Sequence, residues 1–283
     1  MKPVYWKWGA AAGAAVVGAA LLDALVLERY FFQLKKIHIG NKESRRKLRL
    51  LLLTDLHLKD SVWPFHSRLA RKINQLAPDL ILISGDTVDT TGKAATADRF
   101  FGLLHPHLPK AAILGNHDHL EPDSLERLKS VFHKHNCHLL VNDSKCFEID
   151  GVRLTVTGVD DFIEGCPSFT EAVKEVVCED HHILLVHSPL QQEGVLKELR
   201  RINETRSADR RLNIGYIFAG HNHGGQVRLP GYVPVLPKYS GNYVNGWYNR
   251  QAPYLYVSRG FGTTALPFRF GARAEVTLFH YGV

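Results

Sequence analysis

From residue 48 onward the chain alternates short apolar runs with amphipathic stretches, the pattern of strands and helices taken in turn. Residues 48–54 form an apolar run broken by Arg49 and ending at Asp55, which suits a strand covered on both faces. Pro64 opens a helix that reaches Leu76, with Leu69, Ile73 and Leu76 along one face and Arg68, Arg71 and Lys72 off it. Further strands are predicted at 79–84, 111–114, 152–159, 183–186 and 214–219, and helices at 97–104, 122–135, 169–177 and 189–200. The tail alternates in the β manner through 255–258 and 274–280. No internal repeat or low-complexity linker interrupts this order, so residues 48–283 read as one α/β domain.

Residues 9–27 break the pattern. They are apolar throughout except for Asp23, and they approach the ~20 residues that a transmembrane helix needs. Tyr5, Trp6 and Trp8 precede the segment and Tyr30, Phe31 and Phe32 follow it, an arrangement that suits the two aromatic belts of a bilayer. A cleaved signal peptide or a helix lying on the membrane surface are the alternatives. Lys2 and Lys7 stand before the segment, against Arg29, Lys35, Lys36, Lys42, Arg45, Arg46, Lys47 and Arg49 after it. That asymmetry places the C-terminal side in the cytoplasm. The run Arg45-Arg46-Lys47 suits either anionic headgroups or an ordinary solvated turn. The division expected is a membrane segment with a basic juxtamembrane stretch at 1–47, then a catalytic domain at 48–283.

Composition narrows the picture. With 283 residues, 45% hydrophobic and 22% charged, the chain is neither disordered nor a disulfide-stapled miniprotein. The 4 cysteines show no C-x-x-C spacing, which argues against a structural zinc knuckle or a disulfide framework. A net charge of +7 points to a polyanionic partner, and 16 histidines are an excess to be explained.

The histidines explain themselves at the strand ends. Five predicted strands terminate in polar, metal-capable residues: Asp55-Leu56-His57, Gly85-Asp86, Gly115-Asn116-His117-Asp118, His187, and Gly220-His221-Asn222-His223. Ligands of α/β sheets bind outside the carboxyl ends of strands, so these clusters converge on one edge. Asp and Asn offer oxygen, His offers nitrogen, and no thiolate is present, a donor set that suits manganese, iron or zinc. Asp86 has the chemistry to bridge two ions. Such a pair, about 3.5–4 Å apart, activates water and clamps a phosphoryl oxygen. Taken singly, Asp55 and Asp86 also suit helix caps. His119 reads as a rim residue, His105 and His107 as loop, and His133, His135, His138, His181 and His182 as surface.

These motifs, in this order over residues 49–225, resemble the calcineurin-like metallophosphoesterase superfamily. The resemblance implies a four-layer α/β/β/α sandwich of two mixed β-sheets flanked by helices. It implies one divalent ion on Asp55, His57, Asp86 and His223, and a second on Asp86, Asn116, His187 and His221. It leaves His117 to stabilise phosphoryl oxygens or protonate the leaving group, with Asp118 orienting it, during in-line attack of water on phosphorus. The stretch Gly224-Gly225-Gln226, together with 257–262 and 267–271, is similar to the membrane-linked YaeI/YkuE-type branch, which includes LpxG-like enzymes of lipid A synthesis. That likeness implies a phosphorylated, lipid-linked substrate, UDP-2,3-diacylglucosamine, split to lipid X and UMP at the cytoplasmic face of a bacterial inner membrane. A general phosphodiesterase or phosphatase on a soluble or cell-wall substrate is the alternative. A scaffold that has lost its chemistry would lack ligands, and none is missing here. A nucleic-acid partner is not expected, because the densest basic cluster lies beside the apolar segment. For the substrate, the aromatic stretch 239–247 with Tyr243 and Trp247 is expected to line a cap, and one of Arg259, Arg269 and Arg273 to meet a second phosphate.

Overall fold

The apolar runs become strands buried on both faces. In this computed structural model, which describes residues 4–120, 122–264 and 266–283, the helices are α1 (Val4–Leu22), α2 (Glu28–Tyr30), α3 (Pro64–Leu76), α4 (Ala94–Phe101), α5 (Asn116–His119), α6 (Pro122–Lys134), α7 (Phe169–Ala172) and α8 (Gln192–Thr205). A π-helical turn, Asp23–Leu27, joins α1 to α2. The strands are β1 (Gln33–Gly40), β2 (Lys47–Leu53), β3 (Leu80–Ser84), β4 (Lys110–Ile113), β5 (Cys137–Leu139), β6 (Asp143–Ile149), β7 (Val152–Gly158), β8 (His182–Leu185), β9 (Tyr216–Ala219), β10 (Gly246–Tyr248), β11 (Tyr254–Val257) and β12 (Glu275–Gly282). Side chains at 4–7, at Arg29 and at 122–124 lie outside the described residues. So do Lys2 and the flanking roles expected of Tyr5, Trp6 and Lys7.

Two mixed six-stranded sheets result, ordered β1-β12-β2-β3-β4-β5 and β10-β11-β9-β8-β7-β6. Successive residues of β2 point to opposite faces. Leu50 and Leu52 pack between the sheets against Leu154, Leu185 and Phe218. Leu51 and Leu53 pack under the helices with Leu69, Ile73, Phe100 and Phe132. The outer face of the second sheet carries α7 and α8 through Phe169, Ala172, Val195 and Leu199. The order of layers is therefore helices, sheet, sheet, helices, as the resemblance implies.

Three expectations need correction. Residues 33–40, placed ahead of the catalytic domain, form an edge strand of the first sheet, parallel to β12 from Gln33 opposite Glu275 to Gly40 opposite Gly282. Their polar, half-exposed pattern hid a strand that needs one covered face only. The helix expected at 169–177 stops at Ala172, because Val173 leaves helical geometry at φ −112°. The β-branched Val173 and Val176 that follow turn into the core, where their stiff side chains favour non-helical backbone. His182 is not a surface residue. It is 1% exposed, with Nε2 2.7 Å from the Thr157 hydroxyl.

Burial pushes the His182 imidazole down to about 4. The folded value lies below the ordinary 6.5, so the unfolded chain binds the proton first as pH falls. This contribution to stability is intact above pH 6.5 and is lost between 6.5 and 4, by about 3 kcal/mol in all. Urea unfolding across that window should show the loss. His182→Leu, which cannot titrate, should flatten that part of the profile.

Candidate dinuclear metal centre

Each candidate ligand sits where a strand has just ended. Asp55 and His57 follow β2, Asp86 follows β3, Asn116 follows β4, His187 follows β8, and His221 and His223 follow β9. The chain turns abruptly at these points. Asp55 (φ 52°), His57 (43°), Asp86 (50°), His221 (68°) and His223 (49°) all hold left-handed backbone. Such conformations cost roughly 1–3 kcal/mol each and persist where the surroundings fix them, often at functional sites. Two glycines permit the close approach. A Cβ on Gly115 would lie 2.2 Å from Asp86 Oδ1, and one on Gly220 would lie 2.4 Å from Asp55 Oδ2.

The side chains converge as two overlapping groups. Ligand atoms of Asp55, His57 and His223 lie within 4.8 Å of one another, as do those of Asp55, Asp86 and His187. Asp86 Oδ2 stands between them, 3.4 Å from His57 Nε2 and 3.3 Å from His187 Nε2. His57 Nε2 and His223 Nε2 face each other at 3.1 Å, and Asn116 Oδ1 is 3.2 Å from His187 Nε2. Neighbouring groups aim these rings. His187 Nδ1 lies 2.9 Å from the Ser84 carbonyl, which turns Nε2 toward Asp86. His221 Nε2 lies 2.9 Å from the Lys238 carbonyl, which leaves Nδ1 to face the site. Partners of this kind fix tautomer and ring orientation in metal sites.

The donors fit a pair of divalent cations. Asp55 is fully buried and its Oδ2 has no hydrogen-bond partner among the described residues, a costly state for a carboxylate unless a cation faces it. Burial works against charge on Asp86, but the facing His187, His57 and His117 hold its carboxyl well below the usual range. Burial, with the neighbouring His57 and Arg269 charges, pushes His223 well below its ordinary value, and burial also lowers His221. Neutral imidazoles and ionised carboxylates are the forms that bind metal.

The other expected residues divide. His117 lines the same cleft, of 480 Å³, beside Asp86, Asn116, His221 and His223. Asp118 does not orient His117. Its carboxylate accepts the main-chain N–H groups of Gly115 (3.0 Å), Val88 (3.0 Å) and Thr87 (3.3 Å), tying the Asp86 loop to the Asn116 turn. The His117 Nδ1 has no partner among the described residues. Arg269 is fully buried behind His223, and its guanidinium donates to the carbonyls of Gly262, Ala272 and His223. That places it as a brace rather than a phosphate contact. Arg259 is held by Glu275 at 2.7 Å and packs its stem under Gly224. Arg273 lies 3.8 Å from Asp23. Tyr243 turns its hydroxyl to Gln192 and Glu193, while its carbonyl accepts from Asn222 between the two histidines. Trp247 packs on Tyr216, at the end of β9 remote from His221.

Sequence reasoning missed Asp89, Glu164, Lys238 and Thr264, which are joined by Tyr239 from the stretch expected to line a cap. Asp89 Oδ2 lies 3.5 Å from His57 Nδ1, on the side of the ring away from Asp86. The remaining four line the cleft. The signal for Asp89 was its position three residues after Asp86. The others stand on loops with no periodic pattern. His119, expected on the rim, is half-buried with Nε2 2.7 Å from Asp160 Oδ1, which anchors the loop that carries Glu164.

Residues 48–225, more than half of the chain, match the profile of the calcineurin-like phosphoesterase family. The chain is 31% identical over 212 residues to the uncharacterized metallophosphoesterase YkuE of Bacillus subtilis (strain 168), covering 73% of this chain and 69% of that protein. It is 29% identical over 273 residues to the uncharacterized protein YpbG of the same organism, with 93% of each covered. It is 28% identical over 251 residues to a transmembrane protein with metallophosphoesterase domain from Bos taurus, covering 83% of this chain and 53% of that protein. The matched stretch contains every candidate ligand described above, and so the chain belongs to the calcineurin-like phosphoesterase family, as a metal-dependent hydrolase of phosphoric esters.

Proposed function

We propose that the protein acts at the cytoplasmic face of a bacterial inner membrane, where it hydrolyses a phosphate or pyrophosphate ester joined to a lipid. Its favoured substrate is UDP-2,3-diacylglucosamine, released as lipid X and UMP, with two manganese ions as the native metals. The observation that carries the chemistry is Asp86 Oδ2 standing between His57 Nε2 and His187 Nε2. Asp55, His57, Asp86 and His223 would hold one ion, and Asp86, Asn116, His187 and His221 the other. The ions supply Lewis acidity, which makes water a competent nucleophile near neutral pH and offsets charge on the phosphoryl group. The chain's own residues shape the rest. His117 faces the reacting group from the cleft wall, Asp118 and Asp89 fix the turn and ring around it, and the buried Arg269 holds His223 in place.

The membrane assignment is supported by a helix, Trp8–Leu27, that is long and apolar enough to cross a bilayer and is almost wholly exposed. The substrate reading predicts that full-length protein with added manganese releases UMP from the acylated nucleotide sugar at least about tenfold faster than from the deacylated one, since each buried methylene contributes ~0.8 kcal/mol. Equal turnover of both would leave general phosphodiester hydrolysis and remove the lipid.

A further inference from the structure

A second cavity, of 460 Å³, lies directly beside the metal cleft and shares His223, Pro237 and Thr264 with it. Its other walls are mainly apolar: Val227, Pro234, Val235, Leu266 and Phe268. The chemistry of the cleft itself gives no reason for an apolar chamber one residue away from a metal ligand.

The position of the spanning helix supplies one. At 1.5 Å per residue, Trp8–Leu27 covers about 30 Å, the thickness of the hydrocarbon layer. The catalytic domain grips this helix before it ends. Arg269 N–H donates to the Ala24 carbonyl at 3.2 Å. Glu28 is buried, and its carboxylate accepts the N–H groups of Gly271 (2.8 Å) and Ala272 (3.1 Å). Asp23, the charge inside the apolar segment, lies 3.8 Å from Arg273. Ala24 lies about 5 Å inside the end of the segment. The loop that grips it, next in sequence to Leu266 and Phe268, is thereby held at the boundary of the bilayer.

Part of the cavity's lining reaches the surface. Val235 is 73% exposed and Leu266 46%. An apolar rim of this kind suits immersion among acyl chains rather than exposure to water. Gln226 braces the wall between the two cavities. Its Nε2 donates to the Leu266 carbonyl (2.9 Å), and its Oε1 accepts from Thr264 N (3.2 Å).

We propose that this chamber receives a hydrocarbon chain of a membrane-resident phosphate ester, which reaches the metal cleft sideways from the bilayer without first entering water. The inference deepens the proposed function and rests on it for the identity of the headgroup, but the chamber is tested by a different measurement. Each methylene that enters the chamber tightens binding about fourfold, so chain occupancy dominates affinity once several are buried.

The test uses full-length protein in phosphatidylcholine nanodiscs and a long-chain alkyl phosphate carrying a diazirine at its chain terminus. Irradiation and peptide mapping should place adducts on 225–237 and 264–268 in addition to the spanning helix. Val235→Asp combined with Leu266→Gln, both at exposed positions that tolerate polar side chains, should lower the loop adducts at least about fivefold relative to those on the helix, the expected effect of losing one to two methylenes of burial. Adducts confined to the helix, or loop adducts unchanged in the double variant, would overturn the chamber. Hydrolysis of bis(p-nitrophenyl) phosphate by the same preparation with manganese reports separately on the metal centre. Loop adducts without hydrolysis would overturn the proposed reaction and leave the chamber standing.

Discussion

Asp86→Asn is expected to bring turnover of bis(p-nitrophenyl) phosphate down to assay background and to cost the protein at least one of the two divalent ions proposed above. The substitution is nearly isosteric. Asn retains a carbonyl oxygen that can accept the His117 main-chain N–H, which lies 2.9 Å from Asp86 Oδ1. The turn after β3 therefore survives, and with it the fold. What disappears is the charge on Oδ2, which faces His57 and His187 at nearly equal distances. A neutral amide is a poor bridge between two cations, so both sites weaken together. Losing a bridging ligand should exceed the roughly 10²–10⁴-fold loss from removing a single acid or base. Elemental analysis of the purified variant beside its rate decides the matter. Two ions with near-native turnover would show that Asp86 serves one site alone or neither.

The convergence of the candidate ligands was legible in the sequence for a physical reason. A strand buried on both faces must be continuously apolar, so Asp55, Asp86 and His187 stand out by ending such runs, and the glycines before Asp86 and His221 mark backbones that turn or approach closely. The layer order was legible for the same reason. The edge strands were not. β1 shows a mostly polar, half-exposed face, and β10 has three residues, none of them fully buried. An edge position removes the constraint that writes a strand into composition. The arginines misled because charge in a sequence does not disclose burial. Arg269 and Arg259 read alike as phosphate contacts, yet one is a sealed brace for His223 and the other an ion-pair partner of Glu275. The chamber beside the cleft was illegible altogether, since Val227, Pro234 and Val235 meet Leu266 and Phe268 only in the folded chain.

The shared wall at His223, Pro237 and Thr264 joins the candidate metal cleft to the apolar cavity. Gln226 secures the loop that separates the cavities, and Arg269 links the Ala24 carbonyl of the N-terminal apolar helix to the backbone of His223. The helix is thus fastened to the loop that supports a candidate metal ligand, more than a tether would need.

His117→Ala should leave both ions bound and slow hydrolysis by roughly 10²–10⁴-fold, with kcat carrying the loss. The alanine keeps the main-chain N–H that donates to Asp86, so the ligand turn stays intact. The imidazole itself packs edge-on against His57 with ring centroids 4.6 Å apart, and lines the cleft without meeting Asp118. Burial, ahead of the neighbouring charges, lowers its ordinary value, which favours a neutral ring that donates one hydrogen bond. A neutral donor steadies charge on a phosphoryl oxygen and leaves the departing group to other means. The prediction is therefore specific about leaving groups. The deficit should be equal for a p-nitrophenyl ester, which departs without help, and for an alkyl ester, which does not. A deficit that grows with leaving-group basicity would instead make His117 the proton donor, and loss of an ion in the variant would make it a ligand.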